Sequence, residues 1–181
     1  LEVHESGVLV DLQALPFPLN ALPSSFSTFR HQVETHSSFN KALPAPITLP
    51  PWPEASRGFP ALHNVCDMTA AWQPDQRQGF AYEGGEAAGV QRLQHYIWEQ
   101  NGPASYKKTR NGLLGANFST RLSPWLAHGW ISPCQVHQEV KAWEAKNGGN
   151  ESSYWITFEL LWREYFYRAA QLEGASMFGA Q

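Results

Sequence analysis

Phe158-Glu159-Leu160-Leu161-Trp162-Arg163-Glu164-Tyr165-Phe166 sits inside a stretch, about Ser152 to Leu172, where apolar and aromatic residues fall on nearly every side of a helical period. A helix without a polar face is one that a larger protein buries, and alone it is poorly covered. Within it Glu159, Trp162, Arg163 and Phe166 stand at i, i+3, i+4 and i+7, so a carboxylate, an indole, a guanidinium and a phenyl ring share one face. Two readings are open. Glu159 and Arg163 can form an ion pair buried for packing or specificity. Alternatively, the face can be the floor of a site for a planar ligand: a ring to stack on, a carboxylate to accept from N–H groups, and an Arg to hold an anion. Flavins and nucleobases both fit that description.

Upstream, Gly148-Gly149 ends a helix that Ser132-Pro133-Cys134-Gln135 begins as a capping box, with Val136, Val140 and Trp143 on one face. Ser123-Pro124 reads as an N-cap followed by Pro at the first helical position, and Gly129 falls where a C-terminal cap belongs. Asn117-Phe118-Ser119-Thr120-Arg121-Leu122 precedes that helix. Capping needs only Ser123, so Ser119, Thr120 and Arg121 suggest anion binding at free backbone N–H groups. Tyr106-Lys107-Lys108-Thr109-Arg110 adds a phenol and three cations on a short helix from Ala104 to Arg110, which on its own is an ordinary solvated basic face. Before it, Val90, Leu93 and Ile97, supported by Tyr96, predict a helix from about Glu86 to Gln100, ended by Asn101-Gly102-Pro103.

Residues 84–181 therefore read as mainly α. Residues 37–83 read as an extended linker, because six prolines fall between Ala42 and Pro60. In residues 1–36 the run Val8-Leu9-Val10 predicts a short strand, Pro16, Pro18 and Pro23 forbid regular structure, and Ser27 to Glu34 allows one or two helical turns.

The net charge of −3 argues against a general polyanion binder, so any nucleic-acid contact must be local. Eight Trp, ten Phe and six Tyr make the chain aromatic-rich, with six of the Trp from Trp98 onward. Trp130 and Trp143 are expected in the core. Cys66 and Cys134 lack metal-ligand spacing and point away from a disulfide scaffold, toward buried thiols in a reducing compartment. His128 and His137 have no partner at ligand spacing, so no metal site is expected. No apolar run approaches the ~18 residues of a membrane-spanning helix. The chain starts at Leu1 without Met or leader and ends on Gln181 just past its strongest helix, so both ends read as cut and the destination, organellar or nuclear, stays open.

Gly84-Gly85-Glu86, Arg92-Leu93-Gln94-His95-Tyr96 and Tyr106-Lys107-Lys108-Thr109-Arg110-Asn111-Gly112-Leu113-Leu114-Gly115 resemble the start of the FAD-binding region of DASH cryptochromes, in the photolyase/cryptochrome family. The likeness continues through Ser119-Thr120-Arg121-Leu122-Ser123-Pro124-Trp125-Leu126-Ala127, Gly129-Trp130-Ile131-Ser132-Pro133 and Phe158 to Phe166, covering about Gly84 to Phe178. Leu15-Pro16-Phe17-Pro18-Leu19 and Phe26 to Glu34 also look like the end of the family's α/β antenna domain. The resemblance implies three regions: an antenna-domain remnant at 1–36, a Pro-rich interdomain linker at 37–83, and the first part of the helical FAD-binding domain at 84–181.

It also implies roles. Tyr106 and the segment Ser119, Thr120, Arg121, Leu122, Ser123 would contact FAD, with Thr120, Leu122 and Ser123 at its phosphates and ribityl chain, and Glu159 and Arg163 would border the same pocket. Glu159 and Trp162 would face the substrate, the carboxylate bonding damaged bases and the indole packing on a flipped-out dimer. The implied reaction is blue-light repair of cyclobutane pyrimidine dimers in single-stranded DNA by electron transfer from FAD, with 5,10-methenyltetrahydrofolate as antenna and a monomeric protein. The adenine pocket and the electron-transfer tryptophans would lie beyond Gln181, so the chain alone is expected not to retain FAD. Blue-light signalling without repair, and an inactive truncated product, stay open as alternatives.

Overall fold

The structure is a computed structural model of the 181-residue chain, and residues 5–51, 75, 77–113 and 115–179 are described. The chain divides into two compact units, residues 1–42 with 82–181, and residues 43–81. The described part of the second unit contains no helix or strand and exposes Leu43, Ile47 and Leu49, while Arg77 pairs with Asp75. Cys66 lies outside the described residues.

The first unit is all helical among its described residues. Its helices are α1 (Phe26–His36), α2 (Glu86–Gln94), α3 (Tyr106–Thr109), α4 (Ser123–Ala127), α5 (Pro133–Asn147) and α6 (Glu151–Glu173). α6 is the longest and touches α1, α3 and α5. It begins where Asn150 accepts from Ser153 N while Ser153 Oγ receives the Asn150 N–H, a reciprocal cap that holds two otherwise orphaned donors. Its buried stripe is Ser153, Ile156, Thr157, Leu160, Leu161, Glu164 and Arg168. The aromatic excess that the sequence places around this helix ends at the surface: Phe166 and Tyr167 are exposed.

Val8-Leu9-Val10 is buried but is not a strand. Side chains take the place of a sheet ladder. Leu9 N donates to Glu164 Oε2 at 2.8 Å, Cys134 Sγ donates to Val8 O at 3.1 Å, and Arg168 Nη2 donates to Val10 O at 2.5 Å. Asn40 N closes the set on Leu9 O. Every main-chain group so held would otherwise be buried without a partner, which costs more than the bond itself contributes. Glu164 and Arg168 are wholly buried; they pair at 3.2 Å, and Arg168 also reaches Glu5.

The predicted helix from Glu86 to Gln100 is one rod with a change of winding, α-helical to Gln94 and a π-turn over His95–Glu99. Gly89 is required on α2 because an added Cβ would come within 2.9 Å of both Trp125 Cδ1 and Ile131 Cγ2. A 3-10 turn, Gly102–Ala104, then leads to α3. Ser132 caps α5 by accepting from Gln135 N, and Gly148 ends it at φ +86°. Ser123 is not the cap of α4, contrary to the sequence expectation: the cap position is Leu122 and no side chain fills it. Trp143 is buried as expected and its indole donates to Asn101 Oδ1, whereas Trp130 lies at the surface against His128. Cys134 is buried, and burial raises its thiol pKa.

His137, between α5 and α6, faces Thr157 Oγ1 at 3.2 Å and the edge of Phe39. Burial, with Lys141 adding to it and Glu144 opposing it, lowers its pKa from 6.5 to about 4. A depressed histidine is neutral in the fold and charges more readily when unfolded, so the stability it contributes is full above pH 6.5 and is lost as pH falls toward 4. Urea titrations across that window are expected to show this loss, and a flatter dependence in His137→Gln. Arg168→Met, which leaves Glu164 buried without its cation, is expected to destabilise the unit by about 3–5 kcal/mol in the same measurement.

Candidate functional site

A cavity of about 390 Å³ opens between α3, α4, α5 and α6, and is lined by Tyr106, Thr120, Leu122, Ser123, Glu159 and Arg163 over an apolar base from Leu126, Val136, Ile156 and Leu160. Six of the residues singled out from the sequence thus meet around one space. Three others do not line it. Ser119 and Arg121 lie in the loop behind Thr120, and Trp162 turns to the other side of α6, stacked on Phe26 with ring centroids 3.7 Å apart and on Phe166 at 5.4 Å.

Glu159 and Arg163 do not pair with each other, which removes the packing reading of that spacing. Glu159 is bound by Arg110 of the α3 C-terminus, a half-exposed pair beside the Trp155 ring, which Lys107 also overlies at 4.4 Å. Arg163 instead donates to Gly7 O at 2.6 Å and to Leu126 O at 3.4 Å. It therefore ties the N-terminal segment to the end of α4 while its stem borders the cavity. Tyr106 is buried on the cavity wall, and burial together with the Glu159 charge pushes its phenol well above the ordinary value. It enters this space protonated, as a donor.

The loop 115–121 supplies Thr120, and side chains rather than a backbone ladder hold it. Arg92, 6% exposed, donates from Nε to Thr120 O, from Nη1 to Asn117 Oδ1, and from Nη2 to Ala116 O and Ser119 O, all between 2.7 and 3.0 Å. Thr109 Oγ1 donates to Phe118 O, and Arg121, at φ +54°, donates to Leu113 O and Gly115 O. Sequence reasoning gave Arg92 no role. The signal was there: Arg92 stands three residues after Gly89 and four before Tyr96, on the stripe of α2 that faces the core. The Glu164–Arg168 pair was missed likewise, one step beyond the pair that drew attention. Among the described residues no group of three or more His, Cys, Asp and Glu could hold a metal ion, and no helix is long and apolar enough to cross a membrane.

No family model matches the chain. Relatives and a solved structure do. A cryptochrome DASH of Gloeobacter violaceus is 42% identical over 171 residues, covering 94% of this chain and 34% of the relative. One of Xenopus laevis is 40% identical over 174 residues, covering 95% and 33%. The crystal structure of a Synechocystis cryptochrome superposes with a TM-score of 0.88 at 38% identity, covering 96% of this chain and 36% of that one. The fold is thus that of the helical region of cryptochromes and photolyases. The chain belongs to the cryptochrome DASH family, and it spans about a third of the length of the curated relatives it matches.

The Glu159–Arg110 pair is partly solvated, so its stability contribution is small, under about 1 kcal/mol. Glu159→Gln is therefore expected to leave the urea midpoint nearly unchanged while altering the fluorescence of Trp155, whose neighbouring guanidinium loses its anchor.

Proposed function

We propose that the protein to which this chain belongs is a flavin-dependent photolyase that splits cyclobutane pyrimidine dimers in single-stranded DNA. The observation that carries the reading is the convergence of Tyr106, Thr120, Leu122, Ser123, Glu159 and Arg163, distant in sequence, on one cavity with an apolar base. Hydroxyls beside an apolar wall suit the polar chain and ring edge of a flavin. At about 390 Å³ the space is at the low end of small-molecule sites, fit for part of a dinucleotide. FAD, when bound, supplies the photoexcited electron that opens the dimer's ring.

The chain's own residues do the rest. Thr120, Leu122 and Ser123 would hold the phosphate and ribityl portion, with Ser119 and Arg121 shaping the same segment, and Tyr106 would donate from the opposite wall. Glu159 would accept hydrogen bonds from base N–H groups, exchanging Arg110 for substrate. Trp162, stacked on Phe26 and Phe166, would exchange one of those rings for an unstacked base. Leu126, Val136, Ile156 and Leu160 keep water from the inner end of the cavity. The net charge of −3 accords with a single-stranded substrate held locally rather than by a broad basic face.

The test is a chimaera in which this chain replaces the matched third of the Gloeobacter relative. It is expected to bind flavin and to reverse dimers in a single-stranded oligonucleotide under blue light, with Glu159→Gln slowing repair about tenfold or more. The 181-residue chain alone is expected to purify without stoichiometric flavin. A flavin-loaded chimaera that repairs nothing would favour light signalling instead.

A further inference from the structure

We infer that Arg92 is the positioning residue of the loop 116–121: one buried guanidinium, gripping four acceptors, sets the backbone shape that the loop presents to the cavity. Apart from Arg92, the loop is held among the described residues only by side chains of its own and of α3, Thr109 on Phe118 O and Arg121 on Gly115 O. Residues 115–118 are exposed, no helix or strand includes 116–121, and the peptide groups of the loop form no ladder. Arg92 holds the carbonyls of Ala116, Ser119 and Thr120 and the side chain of Asn117, four of the bonds that a guanidinium with five N–H donors can make.

The consequence follows from peptide geometry. In a trans peptide the carbonyl of one residue and the N–H of the next point in opposite directions, and there is no cis peptide among the described residues. Drawing the oxygens of Ala116, Ser119 and Thr120 toward the core therefore turns the N–H groups of Asn117, Thr120 and Arg121 outward. Thr109, holding Phe118 O, does the same for the N–H of Ser119. The amides of Ser119, Thr120 and Arg121 donate to no described residue. The guanidinium is itself fixed from behind by the Tyr96 ring, 5.4 Å from its carbon, so it acts as a rigid fork. Lysine cannot replace it, since an ammonium presents its donors from one point and cannot span four acceptors.

That these outward amides serve a flavin phosphate rests on the function proposed above; that Arg92 shapes them does not. Backbone ¹⁵N relaxation on the 181-residue chain separates the two. In the wild type, amides 116–121 are expected to be as ordered as those of α6, with order parameters near 0.85, and in Arg92→Met and Arg92→Lys to fall below about 0.6 while α5 and α6 keep theirs. Adding n-propylguanidinium to Arg92→Ala is expected to restore the loop. An ordered loop in both Arg92→Met and Arg92→Lys, or an equal loosening of α5 and α6, would overturn the inference. Titration with inorganic pyrophosphate then tests the phosphate: unshifted amides 119–121 in the wild type would sink that reading and leave the order parameters to decide Arg92.

Discussion

The buried Glu164–Arg168 pair on α6 is the constraint from which the rest of the compact unit follows. Two such groups away from water need partners for most of their lone pairs and N–H groups, and here the main chain of Leu9 and Val10, the carboxylate of Glu5 and the side chain of Gln171 supply them, while Glu164 Oε1 and Arg168 Nε make no hydrogen bond. The pair thus fixes a segment that has no secondary structure of its own. Once that segment is in place, Gly7 O meets Arg163, and Arg163 meets the end of α4. The cavity wall is assembled by that sequence of contacts, with α6 at its centre.

A second arrangement of the same kind stands on the other side of the cavity. Arg92 of α2 and Thr109 of α3 hold the carbonyls of a loop that regular structure does not reach. In both places a side chain does what a hydrogen-bond ladder does elsewhere, and in both the organiser is a buried arginine. Planar, always charged and less strongly hydrated than lysine, arginine is suited to gathering several oxygens at once. The residues that face the cavity are mostly neutral. Charge is placed behind the site, where it fixes backbone.

The helices were legible in the sequence because their signals are local: Ser132 before Pro133, Gly148 after the last turn, and apolar residues at helical spacing in α2, α5 and α6. Most of the cavity's lining was legible too, once ordered motifs gave Tyr106, Thr120, Ser123, Glu159 and Arg163 a common context. What escaped was set by tertiary partners. Val8-Leu9-Val10 has the composition of a strand, but among the described residues no strand meets it, and Glu164, Arg168 and Cys134 satisfy its groups instead. Ser123 resembles a cap, yet α4 starts one residue earlier. Glu159 and Arg163 have ideal spacing for a pair, but Arg110 and two carbonyls compete successfully for them. Trp162 shares a helix with the cavity residues and not their direction, because Phe26 offers it a ring to stack on.

The bonds that join residues 7–10 to α6 close loops of the chain more than 150 residues long, from Gly7 to Arg163 and from Val10 to Arg168. During synthesis, residues 7–10 therefore wait more than 150 residues for their partners on α6. Val8, Leu9 and Val10 are apolar and have no local structure to shelter them, so during synthesis they are exposed until α6 has been made and has coiled. The feature that gives the finished unit its rigid wall is thus also the one that makes its assembly late, and until α6 is made it leaves these three apolar residues open to aggregation or chaperone capture.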